Sequence, residues 1–77
     1  MKEQLMNLLE EIRPDVEFEN ESKLIDDGIL DSFDIISIVS EMNDTFDIEI
    51  NVDELEPYNF NTVDAMIELI KKLQNED

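Results

Sequence analysis

Residues 26–34 read DDGILDSFD and mark the transition from a polar loop to an amphipathic helix. Gly28 is the only glycine in the chain, and its Asp-Gly pair predicts a turn whose backbone other residues would adopt only with strain. Asp31 and Ser32 follow at the expected start of the helix, where short polar side chains cap free backbone N–H groups. We therefore predict a helix that begins at Asp31-Ser32 and ends near Asp47.

The predicted helix has one apolar face, because its hydrophobic residues recur at the spacing of a single helix side. This face comprises Ile35, Ile38, Val39, Met42 and Phe46, and it is widened by Phe33 and Ile36. The other side carries Asp34, Ser37, Glu41 and Asp44. From periodicity alone, several large apolar side chains are most simply core residues: Phe33, Ile36, Phe46, Phe60, Met66 and Ile70.

Three further helices are predicted from the same periodicity and from the prolines. The first spans about Lys2–Arg13, because Pro14 cannot continue it. A short helix spans Pro57–Phe60, with the proline in the first position. The last spans about Thr62–Leu73, with Asn61 as its N-cap. The prediction is an all-α, small four-helix bundle, with three main helices and one short helix, forming a single domain over residues 1–77.

Two connections have no regular helix in this interpretation. Residues 15–31 form a long polar loop, and a structureless loop of this length is uncommon, so its apolar residues are expected to pin it to the bundle. These residues are Val16, Phe18, Leu24, Ile25, Ile29 and Leu30. Ile48–Ile50 is predicted to be extended, and Asn51 with Glu54 resembles a capping pair that starts one helical turn.

Composition excludes several classes of site. The 77 residues include no cysteine and no histidine, so disulfides, cysteine metal sites and histidine bases are absent, and we expect no metal site. The formal net charge is −17, from 22 acidic and 5 basic residues, and none of the basic residues lies between Leu24 and Ile70. Nucleic acids and anionic membranes should be repelled, whereas basic protein partners should be attracted.

The N-terminal residues lack the apolar core of a signal peptide, and no apolar run is long enough to cross a bilayer. We therefore expect a soluble cytoplasmic protein with no membrane insertion, acting as a monomer.

The DDGILDSFD segment resembles the attachment motif of the acyl carrier protein family, whose members carry phosphopantetheine. In that family a glycine-containing turn leads to Asp-Ser-hydrophobic at the start of the second helix, and the resemblance extends over the whole chain. It implies that Ser32 bears a covalent 4′-phosphopantetheine arm derived from coenzyme A, with Asp31 and Gly28 beside it. A phosphopantetheinyl transferase, a loading ligase and downstream transferases are the implied partners, and the chain itself is not expected to be an enzyme.

Other serines are weaker candidates for attachment. An isolated Asp-Ser pair at a helix start is usually only a cap, and the glycine turn and acidic helix are what favour attachment here. Ser22 lacks the turn motif, and Ser37 and Ser40 fall inside the predicted helix.

The resemblance also implies a docking surface for basic patches of partner enzymes. Its expected residues are Asp34, Glu41, Asp44, Phe33 and Ile36. A solvated acidic face is the plainer interpretation for any one of these acids. The absence of balancing lysine or arginine favours docking for the set.

The cargo stays open between several classes. Two residues, Ile29 and Leu30, separate Gly28 from Asp31, as in D-alanyl and some stand-alone aminoacyl carriers. The Pro57–Asn61 stretch is also similar to stand-alone aminoacyl carriers, whereas Asp34 is similar to the fatty-acid class. Fatty-acid, polyketide, nonribosomal-peptide and D-alanyl cargo therefore all remain possible.

Two other functions compete with the carrier. The first is an acidic protein-interaction module without a prosthetic group, which the charge alone supports. The second is a small hydrolase with paired carboxylates at Glu10-Glu11 or Asp26-Asp27, for which nothing predicts a cleft or an activated nucleophile.

Overall fold

The computed structural model describes residues 1–75, which form four α-helices joined by loops. The helices are α1 (Lys2–Ile12), α2 (Ser32–Phe46), α3 (Pro57–Phe60) and α4 (Val63–Gln74). Two 3₁₀ turns interrupt the loops, Phe18–Asn20 and Val52–Glu54, and no strand is present among the described residues. The all-α four-helix prediction is confirmed. Within residues 1–75, none of the helices has the length and hydrophobicity needed to cross a membrane.

The core lies where α1, α2 and α4 face one another. Its fully buried side chains come from all four helices and from the first loop. They are Phe18, Phe60, Leu5, Leu9, Leu24, Ile38, Met42, Met66 and Ile70. The core predictions for Phe46, Phe60, Met66 and Ile70 are confirmed, because each is buried.

The core predictions for Phe33 and Ile36 are wrong. Phe33 is 82% exposed and Ile36 is 66% exposed, near the N-terminal end of α2. Ile38, Met42 and Phe46 form the buried side of the helix, whereas Phe33 and Ile36 keep most of their surface in contact with solvent. Periodicity assigns an angle around a helix axis, but burial also needs a neighbour at that angle.

α2 ends as the sequence predicts, although its terminal residue is unusual. Asp47 follows Phe46 in the left-handed region with φ of 53°, and its N–H donates to the Asn43 carbonyl. The extended link after it is held by the same asparagine, because the Ile50 N–H donates to Asn43 Oδ1 at 3.0 Å. Residues 48–50 belong to no helix or strand, which agrees with the prediction that they form a link.

Two predicted caps are wrong. The N-cap of α4 is Thr62, whose hydroxyl accepts a hydrogen bond from the Ala65 N–H at 3.0 Å. Asn61 faces the first loop instead, where its Oδ1 accepts from the N–H groups of Ile25 at 2.9 Å and Asp26 at 3.1 Å. Asn51 precedes the 3₁₀ turn at Val52–Glu54 as expected, but its side chain makes no capping hydrogen bond.

The long loop is fastened at two places. Phe18, Leu24 and Leu30 are buried in the core, as the sequence predicts for its apolar residues. Asn61 adds a polar attachment, since its backbone carbonyl oxygen accepts a hydrogen bond from the Leu24 N–H at 3.1 Å. The segment that leads into α2 is thereby fixed against the α3–α4 junction, 35 residues further along the chain at the Asp26–Asn61 contact.

Candidate functional site

Ser32 is the first residue of α2 and is exposed. The turn before it contains Gly28 with φ of 72°, in the left-handed region that glycine adopts without strain. No atom lies within 4 Å of where a Cβ at this position would stand. Backbone conformation, and not lack of room, therefore favours glycine here, which agrees with the prediction made from the Asp-Gly pair.

Asp31 and Asp34 form a capping box around the serine. The Asp34 N–H donates to Asp31 Oδ1 at 2.9 Å, and the Asp31 N–H donates to Asp34 Oδ2 at 3.2 Å. Both carboxylates thus fix the backbone on either side of Ser32. The Ser32 hydroxyl is left at the surface, where it is accessible from solvent.

The first backbone amides of α2 are available to an anion. The N–H groups of Ser32 and Phe33 find no acceptor among residues 1–75, as expected for the first positions of a helix. Free N–H groups and the positive end of the helix dipole favour a phosphate at such a position.

Arg13 reaches this site from the end of α1. Its Nη1 donates to Asp34 Oδ2 at 2.5 Å and to the Ile29 carbonyl at 3.0 Å. The other edge of the guanidinium donates two hydrogen bonds to Asp15, from Nε to Oδ1 at 3.0 Å and from Nη2 to Oδ2 at 2.8 Å. The hydrogen bonds that Arg13 donates to Asp15 and, next in importance, to Asp34 raise the pKa of Arg13 above its usual value, so the guanidinium stays charged.

An open apolar groove of about 270 Å³ lies beside Ser32, between α2 and α3. Ser32 is one of its lining residues, and the others are Ile25, Ile35, Ile36, Leu55, Glu56, Pro57 and Phe60. Another depression, of about 600 Å³, lies at the far end of α2 around Phe46 and Asp47. Only the first of these two is adjacent to the serine hydroxyl.

The five residues expected to dock partners fall into two groups. Phe33, Ile36, Glu41 and Asp44 are exposed on α2. Asp34 is different, since its side chain is only 14% exposed and is bound to Arg13. The exposed apolar pair and the two exposed acids all lie on α2 and are the candidate docking residues that remain.

Comparison with known proteins gives consistent matches. The family model described as "Phosphopantetheine attachment site" matches residues 3–70. The chain belongs to this family of phosphopantetheine-binding carrier proteins. It is 31% identical over 75 residues to the D-alanyl carrier proteins of Bacillus cereus (strain B4264) and Bacillus anthracis (strain CDC 684 / NRRL 3495), covering 95% of each chain. Its prosthetic group is therefore a covalently attached 4′-phosphopantetheine.

The residues of this carrier protein fit that group. A phosphodiester needs a reachable hydroxyl, and Ser32 is exposed. The free N–H groups of Ser32 and Phe33 can donate to its phosphate oxygens, and the adjacent groove offers apolar surface to the arm. Among residues 1–75 of the carrier protein, no cluster of three acidic side chains is arranged to hold a metal ion.

Two parts of the site of this carrier protein were not found from the sequence. Arg13 was predicted only as the end of a helix, and Asn61 only as a cap. Each contacts the site through residues 16 to 36 positions away in the chain, so no local pattern signals the contact. The lack of any basic residue from Leu24 to Ile70 was the one available hint, because a partly buried acid in that range can pair only with a basic residue outside it.

The carrier protein should lose a specific contribution to stability in acid. The Arg13 guanidinium, followed by a backbone hydrogen bond, lowers the pKa of Asp15 from 3.8 to about 2. A carboxyl whose pKa is lower in the folded state stabilises that state fully above pH 3.8, and this contribution disappears as the pH falls through 2. Asp15→Asn should therefore lower the melting temperature at pH 6, and the difference from the unaltered protein should vanish towards pH 2.

Thermal melts followed by circular dichroism between pH 6 and pH 2 would measure this difference. Glu10→Gln is the matched control, because Glu10 is exposed on α1 and makes no ion pair among residues 1–75. An Asp15→Asn difference that is the same at every pH would contradict the assignment.

Proposed function

We propose that Ser32 is the attachment residue and that the chain carries a cargo, bound to the arm as a thioester, between partner enzymes. The observation that supports this most directly is the exposed Ser32 hydroxyl at the first position of α2, inside a capping box and beside an apolar groove. When bound, the arm supplies a thiol, which the chain lacks because it has no cysteine. The chain holds and presents its cargo and catalyses no reaction itself.

In the modification step, Ser32 Oγ is the one atom of this chain that reacts. Ser32 Oγ attacks the phosphorus of coenzyme A that bears the pantetheine group, and a phosphodiester forms as adenosine 3′,5′-bisphosphate leaves. The hydroxyl proton passes to a base of the transferase. Asp31 uses Oδ1 as the helix cap, which leaves its Oδ2 for the transferase or its metal ion. A cytoplasmic location, where coenzyme A is available, belongs to this proposal.

Intact-mass spectrometry tests the proposal. The purified apo protein is incubated with coenzyme A and a broad-specificity phosphopantetheinyl transferase. We expect each chain to gain the mass of one phosphopantetheinyl group, and tandem fragmentation to locate it within the peptide that contains Ser32. A chain that never gains mass, alongside a known carrier that does, would instead favour an acidic interaction module without an arm.

We propose D-alanine as the cargo. Two observations support it: the curated relatives reported above are D-alanyl carriers, and two residues, Ile29 and Leu30, separate Gly28 from Asp31. The holo protein would be incubated with ATP, D-alanine and a Bacillus D-alanine–carrier ligase, with a Bacillus carrier as positive control. A mass gain that hydroxylamine removes is expected. If the Bacillus carrier is loaded and this chain is not, the proposal of D-alanine as cargo is contradicted. The proposal that the chain carries the arm is unaffected by that result.

The docking surface gives a prediction about rates. Reversing Glu41 and Asp44 to lysine should lower kcat/KM for arm transfer by about tenfold or more at low salt, because steering by complementary charge acts mainly on association. Added salt screens these charges, so it should reduce the difference in kcat/KM between the double variant and the unaltered protein. Glu3→Lys with Asp64→Lys is the matched control, since these exposed acids lie on α1 and α4 and change the net charge equally. Equal losses in both double variants would mean that total charge, and not this surface, is recognised.

A further inference from the structure

Arg13 joins the three segments that surround Ser32. It follows the last residue of α1, its Nη1 donates to the Ile29 carbonyl in the loop, and the same nitrogen donates to Asp34 in the first turn of α2. The contacts span 16 and 21 residues of sequence. One side chain therefore sets the position of α1, the loop and the helix start relative to one another.

The contact with Asp34 extends to the backbone beside the serine. Asp34 Oδ2 accepts both from Arg13 Nη1 and from the Asp31 N–H. Asp15 accepts two hydrogen bonds from the other edge of the guanidinium, and these fix the orientation of the guanidinium plane. Orienting Asp34 thus orients the capping box, and the residues immediately before and two after Ser32 move with it.

The same contact changes the charge around Ser32. Asp31 and Asp34 flank the serine, and both would repel the phosphate of coenzyme A as it approaches. Among residues 1–75, Arg13 is the one basic side chain in ion-pair contact with either of them. It neutralises Asp34, so the free N–H groups of α2 face the incoming anion with one fewer competing negative charge.

We propose that Arg13 is a positioning residue for the modification of Ser32, acting through Asp34 and the Ile29 carbonyl; this rests on the proposed attachment at Ser32. It touches neither coenzyme A nor the hydroxyl. Its action is to hold the capping box closed and the loop in place, so that the hydroxyl is presented in one orientation. Asp34 then belongs to this internal contact and not to the surface that partners bind.

Steady-state kinetics of arm transfer separates positioning from docking. Arg13→Gln should lower kcat about tenfold, because misplacing a reacting group by a fraction of an ångström has effects of that order. KM for the carrier should change less than about twofold, because Phe33, Ile36, Glu41 and Asp44 stay exposed on α2. Arg13→Lys keeps the positive charge but lacks the planar guanidinium and cannot make all of its hydrogen bonds. The kcat of this variant should therefore lie between those of the unaltered protein and Arg13→Gln.

Variants of Asp34 provide a second, independent test of the proposal. Asp34→Asn should lower kcat as Arg13→Gln does, and the double variant should be no slower than either single, because the two residues act as one unit. A raised KM in Asp34→Asn with unchanged kcat would instead mean that Asp34 docks the transferase, and it would overturn the proposal. Amide hydrogen exchange at Asp31 and Asp34 should quicken in Arg13→Gln, which shows the opened capping box in the folded protein.

Lys23→Gln is the matched control. Lys23 is exposed in the same loop, makes no ion pair among residues 1–75, and changes the net charge by the same amount. Its kcat should equal that of the unaltered protein. A folded Arg13→Gln variant with unchanged kcat and unchanged exchange would overturn the proposal while leaving attachment at Ser32 intact. If the unaltered protein is not modified at all, the attachment proposal has failed and this one falls with it.

Discussion

Replacing Ser32 by alanine should abolish arm attachment completely. The substitution removes the only atom to which the phosphodiester can be made at this position, and no neighbouring hydroxyl can substitute. Ser37 and Ser40 lie one and two turns further along α2, where their amides are committed to the helix and offer no free N–H groups to a phosphate. The intact mass should remain that of the apo protein after hours with coenzyme A and transferase.

The matched controls are the same substitution at the other serines. Ser22→Ala, Ser37→Ala and Ser40→Ala each remove an exposed hydroxyl and should be modified at the normal rate. Ser32→Ala should remain folded, because its side chain makes no hydrogen bond that holds the capping box. Continued mass gain in Ser32→Ala, with loss in one of the other three, would move the attachment site elsewhere.

Phe18→Ala should be the most destabilising substitution outside the helices. Phe18 is only 1% exposed and lies in the 3₁₀ turn of the first loop, where it packs into the core between the helices. Truncating a buried phenylalanine costs about 3–5 kcal/mol, from lost transfer free energy and the cavity left behind. A chain of 77 residues has a small stability margin, so a large unfolded fraction at 37 °C is the expected result.

Urea unfolding followed by circular dichroism would measure the loss. Phe33→Ala is the matched control for stability, since the same atoms are removed from a side chain that is 82% exposed. Its effect on the free energy of unfolding should be within about 0.5 kcal/mol, as for most surface substitutions. If the two variants are equally stable, the loop is not pinned to the core through Phe18.

Local signals in the sequence predicted the helices well. Pro57 marks the first position of α3, and the predicted and observed bounds of that helix agree, Pro57–Phe60. Pro14 limits α1 to Lys2–Ile12 because proline restricts the residue before it. The start of α2 was also predicted, because a glycine turn and a capping pair act over a few residues.

Contacts between distant segments were beyond this kind of prediction. The 3₁₀ turn at Phe18–Asn20 has no cap, glycine or proline to announce it, and tertiary packing of Phe18 explains it instead. Asn61 has the right chemistry for a cap, yet two loop N–H groups compete for its oxygen and Thr62 takes the cap position. The choice between these roles depends on a loop 35 residues away.

The residues of the candidate site can be named from the sequence, whereas the contacts that arrange them cannot. Ser32, Asp31 and Gly28 could be named from one short motif, and the structure places them in one turn and helix start. Asp34 was grouped with the surface acids, since helical periodicity puts it on the polar side of α2. Arg13 draws it inward, and that contact depends on the packing of α1 against α2.

The acidic surface has a further consequence for an exposed apolar pair such as Phe33 and Ile36. Exposed apolar patches of this kind promote self-association of a protein. Here two molecules that approach each other each bring a formal charge of −17, and long-range repulsion keeps them apart before short-range apolar attraction can act. Colloidal stability is therefore tied to ionisation, and it should be weakest near the isoelectric point of about 4.1, where the repulsion disappears.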